Sequence, residues 1–197
     1  EDLSGILEIS ERAVSIGRSL NRRADITVSV AGFVPKPHTP FQWEPQDLME
    51  SFREKGRWLK GRVKNKKISL KYHEPAQSFI EGVMARGDRR LGKAIERAWE
   101  RGARFDGWSE TFNLSIWLEA FSDVGIDPSW YANRERPMDE GFPWDHIDCG
   151  VTREFLWRER EKARMAILTP DCRGGVCSGC GWQSQGCSWS RGDGSNG

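Results

Sequence analysis

The chain has 197 residues, 30 Lys/Arg against 29 Asp/Glu, and 37% hydrophobic residues, enough to bury a sizeable core in one or two domains. The balanced charge excludes a chain-wide polyanion binder, and no apolar run approaches the ~20 residues that cross a bilayer. No charged and then apolar leader precedes a small-residue cleavage site, so a cytoplasmic protein with no membrane partner is expected, and clustered cysteines there act as ligands more often than as disulfides.

The chain opens at Glu1 inside a helical pattern and reads as a piece of a longer polypeptide. Leu3, Ile6, Leu7, Ile9, Val14 and Ile16 predict a helix over about 3–20, which Asn21-Arg22-Arg23 breaks. Ile26, Val28 and Val30 then alternate with Thr27 and Ser29, a β-branched strand, so helix and strand make half of a βα repeat. The next stretch, Phe33 to Trp43, has prolines at 35, 37 and 40, which exclude helix and predict a shaped loop at a strand end. From Pro45 to about Lys64, the stripe of Leu48, Phe52, Leu59 and Val63 predicts an amphipathic helix, followed by a short strand carrying Ile68, Leu70 and Tyr72. Helices are predicted beyond it at about 75–86, 88–102, 111–124 and 152–166, with Asp88 and Thr152 as N-caps and Gly87, Gly102 and Gly125 as stops. Ser188 to Gly197 lacks periodicity and reads as a disordered tail.

Four of the five cysteines fall within Cys172-Arg-Gly-Gly-Val-Cys177-Ser-Gly-Cys180 and Cys187. Glycines between them let the thiolates converge, and Cys172, Cys177, Cys180 and Cys187 are the candidate metal ligands; free thiols in a floppy tail are the bland alternative. Spacing does not separate zinc from an iron–sulfur cluster. In Pro143-Trp-Asp-His-Ile-Asp-Cys149, the group Asp145, His146, Asp148 and Cys149 offers ligands or an acid–base pair. A turn leading into the helix capped by Thr152, its aspartates bonding backbone amides, explains the same residues, with Cys149 a small buried hydrophobe. His38 in the proline loop is a substrate-side candidate, and His73 reads as structural. Nine Lys/Arg against one acidic residue between Arg53 and Lys71, with Trp58 among them, allow RNA contact but also describe a solvated helix face. Trp99 and Trp117 read as core, whereas Trp43, Trp108 and Trp144, in loops, are better placed for stacking.

Several segments together resemble one family: Ser29-Val-Ala-Gly-Phe-Val-Pro-Lys-Pro-His-Thr-Pro-Phe-Gln-Trp43, Ser78-Phe-Ile-Glu-Gly-Val83, Ala85-Arg-Gly-Asp-Arg-Arg-Leu91, Arg104-Phe-Asp-Gly-Trp-Ser-Glu110, Pro143 to Asp148, and Thr169-Pro-Asp-Cys-Arg173. The chain resembles the C-terminal part of radical SAM proteins that carry a cobalamin (B12)-binding domain, largely uncharacterised as to substrate, over nearly all of Glu1 to Cys180. The resemblance implies an α/β fold in which closing βα elements of a partial (β/α) radical SAM barrel (1–45) precede a mainly helical C-terminal extension (46–168), a cysteine-rich metal motif (169–187) and a disordered tail (188–197). It further implies a parent with a [4Fe–4S] cluster and S-adenosylmethionine, and a B12-binding-type domain that makes cobalamin a candidate cofactor there. The partners are then a missing N-terminal barrel and B12-binding-type domain, an unknown substrate, and RNA as a candidate. His38, Phe41, Trp43, Asp145 and His146 become substrate-side candidates, and the tail cysteines an auxiliary Fe–S or Zn centre. The C-x3-C-x2-C motif that holds the SAM cluster is absent, so the fragment alone is expected to be inactive. Gln183 stands where the resembled pattern ends in a cysteine. The alternative reading is a zinc-stabilised RNA- or protein-binding module.

Overall fold

The computed structural model describes residues 1–20 and 23–187; the expected break at Asn21-Arg22 and tail from Ser188 lie outside them. Helix α1 (Asp2–Ser19) leads to β1 (Ile26–Val30), a long loop, α2 (Met49–Arg62) and β2 (Ile68–Tyr72). The two strands are parallel, with Ile26 opposite Ile68 and Val30 opposite Tyr72. β1, α2 and β2 thus form one βαβ crossover, the connection parallel neighbours require. α1 lies against both strands, burying Ser10 and Val14, and Gly17 leaves its backbone room beside the Ala24 side chain.

The remaining chain is helical: α3 (Pro75–Arg86), α4 (Leu91–Glu100), α5 (Leu114–Asp123), α6 (Pro128–Ala132) and α7 (Arg153–Arg164), then short 3-10 turns at Cys172–Gly174 and Trp182–Gln185. Local chemistry starts them. Pro75 and Pro128 sit in first turns, where the missing N–H costs nothing, and the side chains of Asn113, Asp127 and Thr152 accept first-turn N–H groups of α5, α6 and α7. Asp88 accepts the Arg90 N–H ahead of α4, so this helix starts later than its acidic cap suggests.

The expectation of a partial barrel is overturned. Among the described residues the fold is seven helices and a single two-stranded parallel sheet. The alternation at 26–30 and 68–72 specifies the strands correctly, but alternation carries no information about how many neighbours a strand has, and two strands enclose nothing.

Two cores organise the molecule. Phe79, Ile80, Val83, Leu91, Ala94, Ala98, Trp117, Ala120, Phe121, Tyr131 and Ala132 form an apolar core between α3, α4, α5 and α6. Small alanines where α4 meets α5 let the helices approach closely around Phe121. Trp43, Phe142, Trp144 and Leu156 form a second, aromatic core on α7. No helix among the described residues is long and apolar enough to cross a membrane.

Candidate functional site

The proline loop after β1 is shaped by tight turns, with Gln42 N–H bonding Thr39 O and Glu44 N–H bonding Phe41 O. Pro35 is buried, and His38 adopts a left-handed backbone (φ 56°), a conformation that costs a non-glycine residue about 1 kcal/mol or more and persists where its surroundings fix it. Here the fixing group is Gln42. Its side-chain oxygen accepts the His38 N–H (3.0 Å) and the indole N–H of Trp144 (2.9 Å), tying the loop to the Pro143–Asp148 turn.

Gln46 fastens the other end. Buried, it donates to Phe33 O (3.2 Å) and Ser78 O (2.7 Å), while its own N–H bonds Ala132 O (2.8 Å). Gly82 is required beneath it, because a Cβ there would collide with the Gln46 amide.

Between loop and turn lies a cleft of about 220 Å³ lined by His38, Gln42, Asp145, Asp148, Cys149 and Arg153 among others. His38 Nε2 is buried with no hydrogen-bond partner among the described residues, so the imidazole beside this cleft carries one unsatisfied nitrogen. The carboxylates are already engaged: Asp145 accepts Phe142 N–H (2.6 Å) and both of its oxygens lie 3.0 Å from Arg153 Nη1, while Asp148 accepts Gly150 N–H (2.7 Å). Those backbone bonds are what a structural turn would make. Arg153 also donates to the carbonyls of Met138 and Glu140 and lies over the rings of Phe142 and Trp43. The cleft therefore pairs one unsatisfied imidazole nitrogen with a fixed guanidinium, a pair suited to orienting a polar ligand rather than to moving a proton between two carboxylates.

A larger cavity, about 650 Å³, opens at the C-terminal ends of β1 and β2, where open parallel sheets bind ligands. Ile6, Phe33, Phe52, Leu59 and Tyr72 give it apolar walls, and Arg53 and Lys60 stand among its lining residues. Burial pushes the Tyr72 phenol above its ordinary value, and its hydroxyl donates to Gly56 O. The proline loop contributes to both hollows, through Phe33 to this one and His38 to the other.

The other sequence candidates are scattered. Phe41 is exposed and packs edge-on to Phe33 (6.0 Å), and His146 is exposed and does not line the cleft. Trp43 is fully buried, packed against Phe142 and Trp157, so it supports the loop instead of stacking on a ligand, and Trp144 is buried too. Of the two tryptophans read as core, Trp117 is buried and Trp99 is not; Trp99 instead lies beneath Arg104. Trp108 is exposed. On α2, Arg53 and Arg57 pair with Glu50, Lys55 with Asp47, and Arg62 lies over Trp58, so much of the basic face is internally balanced.

The sequence reading missed a set of buried arginines. Arg160, 1% exposed, donates to Glu44 (2.5 Å), Glu135 and Glu161, binding α7 to the residue after Trp43. Arg86 is completely buried and donates to Ala132 O (2.6 Å) and Arg134 O (2.9 Å), and Arg136 donates back to Arg86 O (2.7 Å). Burial, reinforced by the neighbouring positive charges of Arg136 and Arg134, pushes Arg86 down to about 9. The Arg134 guanidinium beside Glu140 holds that carboxyl below the usual carboxylate range. One signal was available: Arg160 stands one helical turn after buried Leu156, on the face that should be apolar.

Among the described residues, no three His, Cys, Asp or Glu side chains are gathered closely enough to hold a metal ion. Thiols are donors that suit a soft ion, and in the tail Cys177 Sγ accepts Gly179 N–H (3.4 Å) and Gln183 Nε2–H (2.9 Å). Gln183 thus touches a candidate ligand without being able to replace one.

No known family model matches the chain, and no solved structure matches it. Over 101 residues it is 27% identical to an uncharacterized protein of Methanocaldococcus jannaschii, a match covering 51% of this chain and 22% of that protein. The chain thus spans about a fifth of the length of that curated relative, and the likeness assigns no activity.

Proposed function

We propose that this chain is a substrate-side region of a cytoplasmic radical SAM enzyme whose cluster-bearing segment lies elsewhere in the polypeptide. One observation carries the reading: two of the segments that bear the family resemblance, 29–43 and 143–148, meet through Gln42 and wall a single polar cleft. In this role His38 Nε2 hydrogen-bonds a polar group of the substrate, Arg153 carries the positive charge that orients it, and the strand-end cavity takes the apolar remainder. When bound in the parent, the [4Fe–4S] cluster and S-adenosylmethionine supply a 5′-deoxyadenosyl radical for hydrogen-atom abstraction. The reading assigns this chain no SAM cleavage of its own, since it lacks the C-x3-C-x2-C motif.

The test is the polypeptide that contains this region, purified without oxygen and given S-adenosylmethionine and dithionite. Formation of 5′-deoxyadenosine by that protein, and none by residues 1–197 alone, is the expected result. A continuous coding sequence without C-x3-C-x2-C, or no SAM-dependent 5′-deoxyadenosine, would overturn the reading.

A further inference from the structure

We infer that the cavity at the C-terminal ends of β1 and β2 binds an apolar chain that ends in an anionic group, a carboxylate or a phosphate. The hollow measures about 650 Å³, within the range of roughly 300–1,000 Å³ that takes up a whole small molecule. Its walls differ in chemistry. Leu3 and Ile6 of α1, Val30 of β1, Phe33 of the proline loop and Phe52 of α2 supply hydrocarbon. Gly32 closes the strand end: a Cβ there would stand 3.2 Å from both the Phe52 ring and Ser78 Oγ, so β1, α2 and α3 meet with no side chain between them.

The wall formed by α2 is cationic. Arg53, Arg57 and Lys60 line the cavity at i, i+4 and i+7, a single face of the helix. Gly56 lies on the same face, and Tyr72 closes on it, the hydroxyl donating to Gly56 O (3.2 Å). The charges of this wall are only partly matched. Glu50, which is not part of the lining, is shared by Arg53 (3.4 Å) and Arg57 (2.7 Å), Asp47 pairs with Lys55, and Lys60 has no partner among the described residues. The remaining carboxylate of the lining, Asp2, lies in the first turn of α1, where the helix dipole favours a negative charge. The two Glu50 pairs are about half-exposed or more, a kind of ion pair worth little, so the arginines can turn to an incoming anion at small cost.

Guanidinium and ammonium groups one helical turn apart recognise carboxylate or phosphate, and the hydrocarbon beside them takes what is attached to it. Phe52 and Lys60 stand on the order of 12 Å apart along α2, at 1.5 Å per residue, a length that suits a chain better than a compact ring. A neutral head would leave the cationic wall unanswered and a cationic head would be repelled, so the cavity selects on the sign of the head group. The inference adds an anionic terminus to the apolar part of the substrate described above, and it rests on that reading only in calling the ligand a substrate. Binding is read on residues 1–197 without S-adenosylmethionine, so failure of one leaves the other standing.

The full chain is titrated calorimetrically with decanoate and with decyl phosphate, and with decanol and decylammonium as neutral and cationic counterparts, each below its micelle concentration. One molecule of decanoate or decyl phosphate per chain is expected, with decanol and decylammonium at least about tenfold weaker. Either order of the two anions sustains the inference and tells which head the wall prefers. Arg57→Gln combined with Lys60→Gln should weaken decanoate about tenfold and leave decanol unchanged, whereas Lys93→Gln on α4 should alter neither. Arg57 and Lys60 are exposed, so the fold should survive; should the double variant lose its circular dichroism, the ranking of the four head groups on the unsubstituted chain decides alone. Binding that ignores the sign of the head, several molecules bound per chain, no saturable binding, or an unchanged decanoate affinity in a folded double variant overturns the site.

Discussion

The two cores of this protein solve the same packing problem with different chemistry. Between α3 and α6 the interior is hydrocarbon apart from the Arg86 guanidinium at its edge, Phe121 and Trp117 filling the gaps left by alanines. Around α7 the interior is rings and guanidiniums: Phe142 stacked on Trp144 at 4.8 Å, Arg136 and Arg153 over their faces, and Arg160 joining Glu44 to Glu135. The first kind of core asks only for apolar residues of the right size. The second demands that each buried donor find its acceptor, so it is specific in geometry and unforgiving of change. The candidate cleft sits on the second.

The strongest way to break the comparison is truncation in both cores. Phe121→Ala and Trp43→Ala should each cost about 3–5 kcal/mol in urea unfolding. If the cores form one cooperative unit, both variants keep a single transition; a split transition in Trp43→Ala alone would show that the aromatic core unfolds by itself.

A smaller effect separates the cores by charge. Arg160→Ala removes a guanidinium from between carboxylates and leaves Glu44, which is mostly buried, to the half-exposed Arg164 at 3.1 Å. Because Glu135 is half-exposed and regains water, the cost should fall near 2–3 kcal/mol, below the full range for a broken buried pair. A loss under 0.5 kcal/mol would mean that ring packing alone holds α7.

The smallest effect is acid. In the α3–α6 region the Arg90 side chain holds Asp88 at about 2. A folded value below the unfolded one gives stability that is present above about pH 4 and is lost as pH falls toward 2, on the order of 1 kcal/mol after solvent screening. The Arg–aromatic region carries three lowered carboxylates, Glu135 and Glu140, lowered chiefly by Arg hydrogen bonds, and Glu159, lowered by its bonds to Lys162 and Thr169 against the opposing pull of burial. Acid should therefore loosen that region first. Near-UV circular dichroism of the tryptophans checks this, and Asp88→Asn should flatten only the component lost near pH 2.

Much of the framework was legible in the sequence because it rests on local rules. Alternation located 26–30 and 68–72, and caps and breakers located α3 and α7. What failed depended on neighbours far along the chain. Five-residue α6 is too short for periodicity to register, and the strand pattern carried no count of partners, so a barrel was expected where two strands stand. Trp43 looked like a loop residue free to stack because the loop's burial is created by Phe142 and Trp157, about a hundred residues later. His38 was legible as a site candidate from its prolines, but its free nitrogen was not.

Gln42 has a consequence beyond the two bonds it accepts. One amide oxygen serves a backbone donor at His38 and an indole donor at Trp144, 102 residues beyond Gln42 in sequence. The strained histidine therefore cannot relax without also stripping the indole of its acceptor, and the turn cannot swing away without freeing the histidine. Loop and turn are in effect a latch with a single bolt: whatever ligand the cleft receives meets both walls at once or neither.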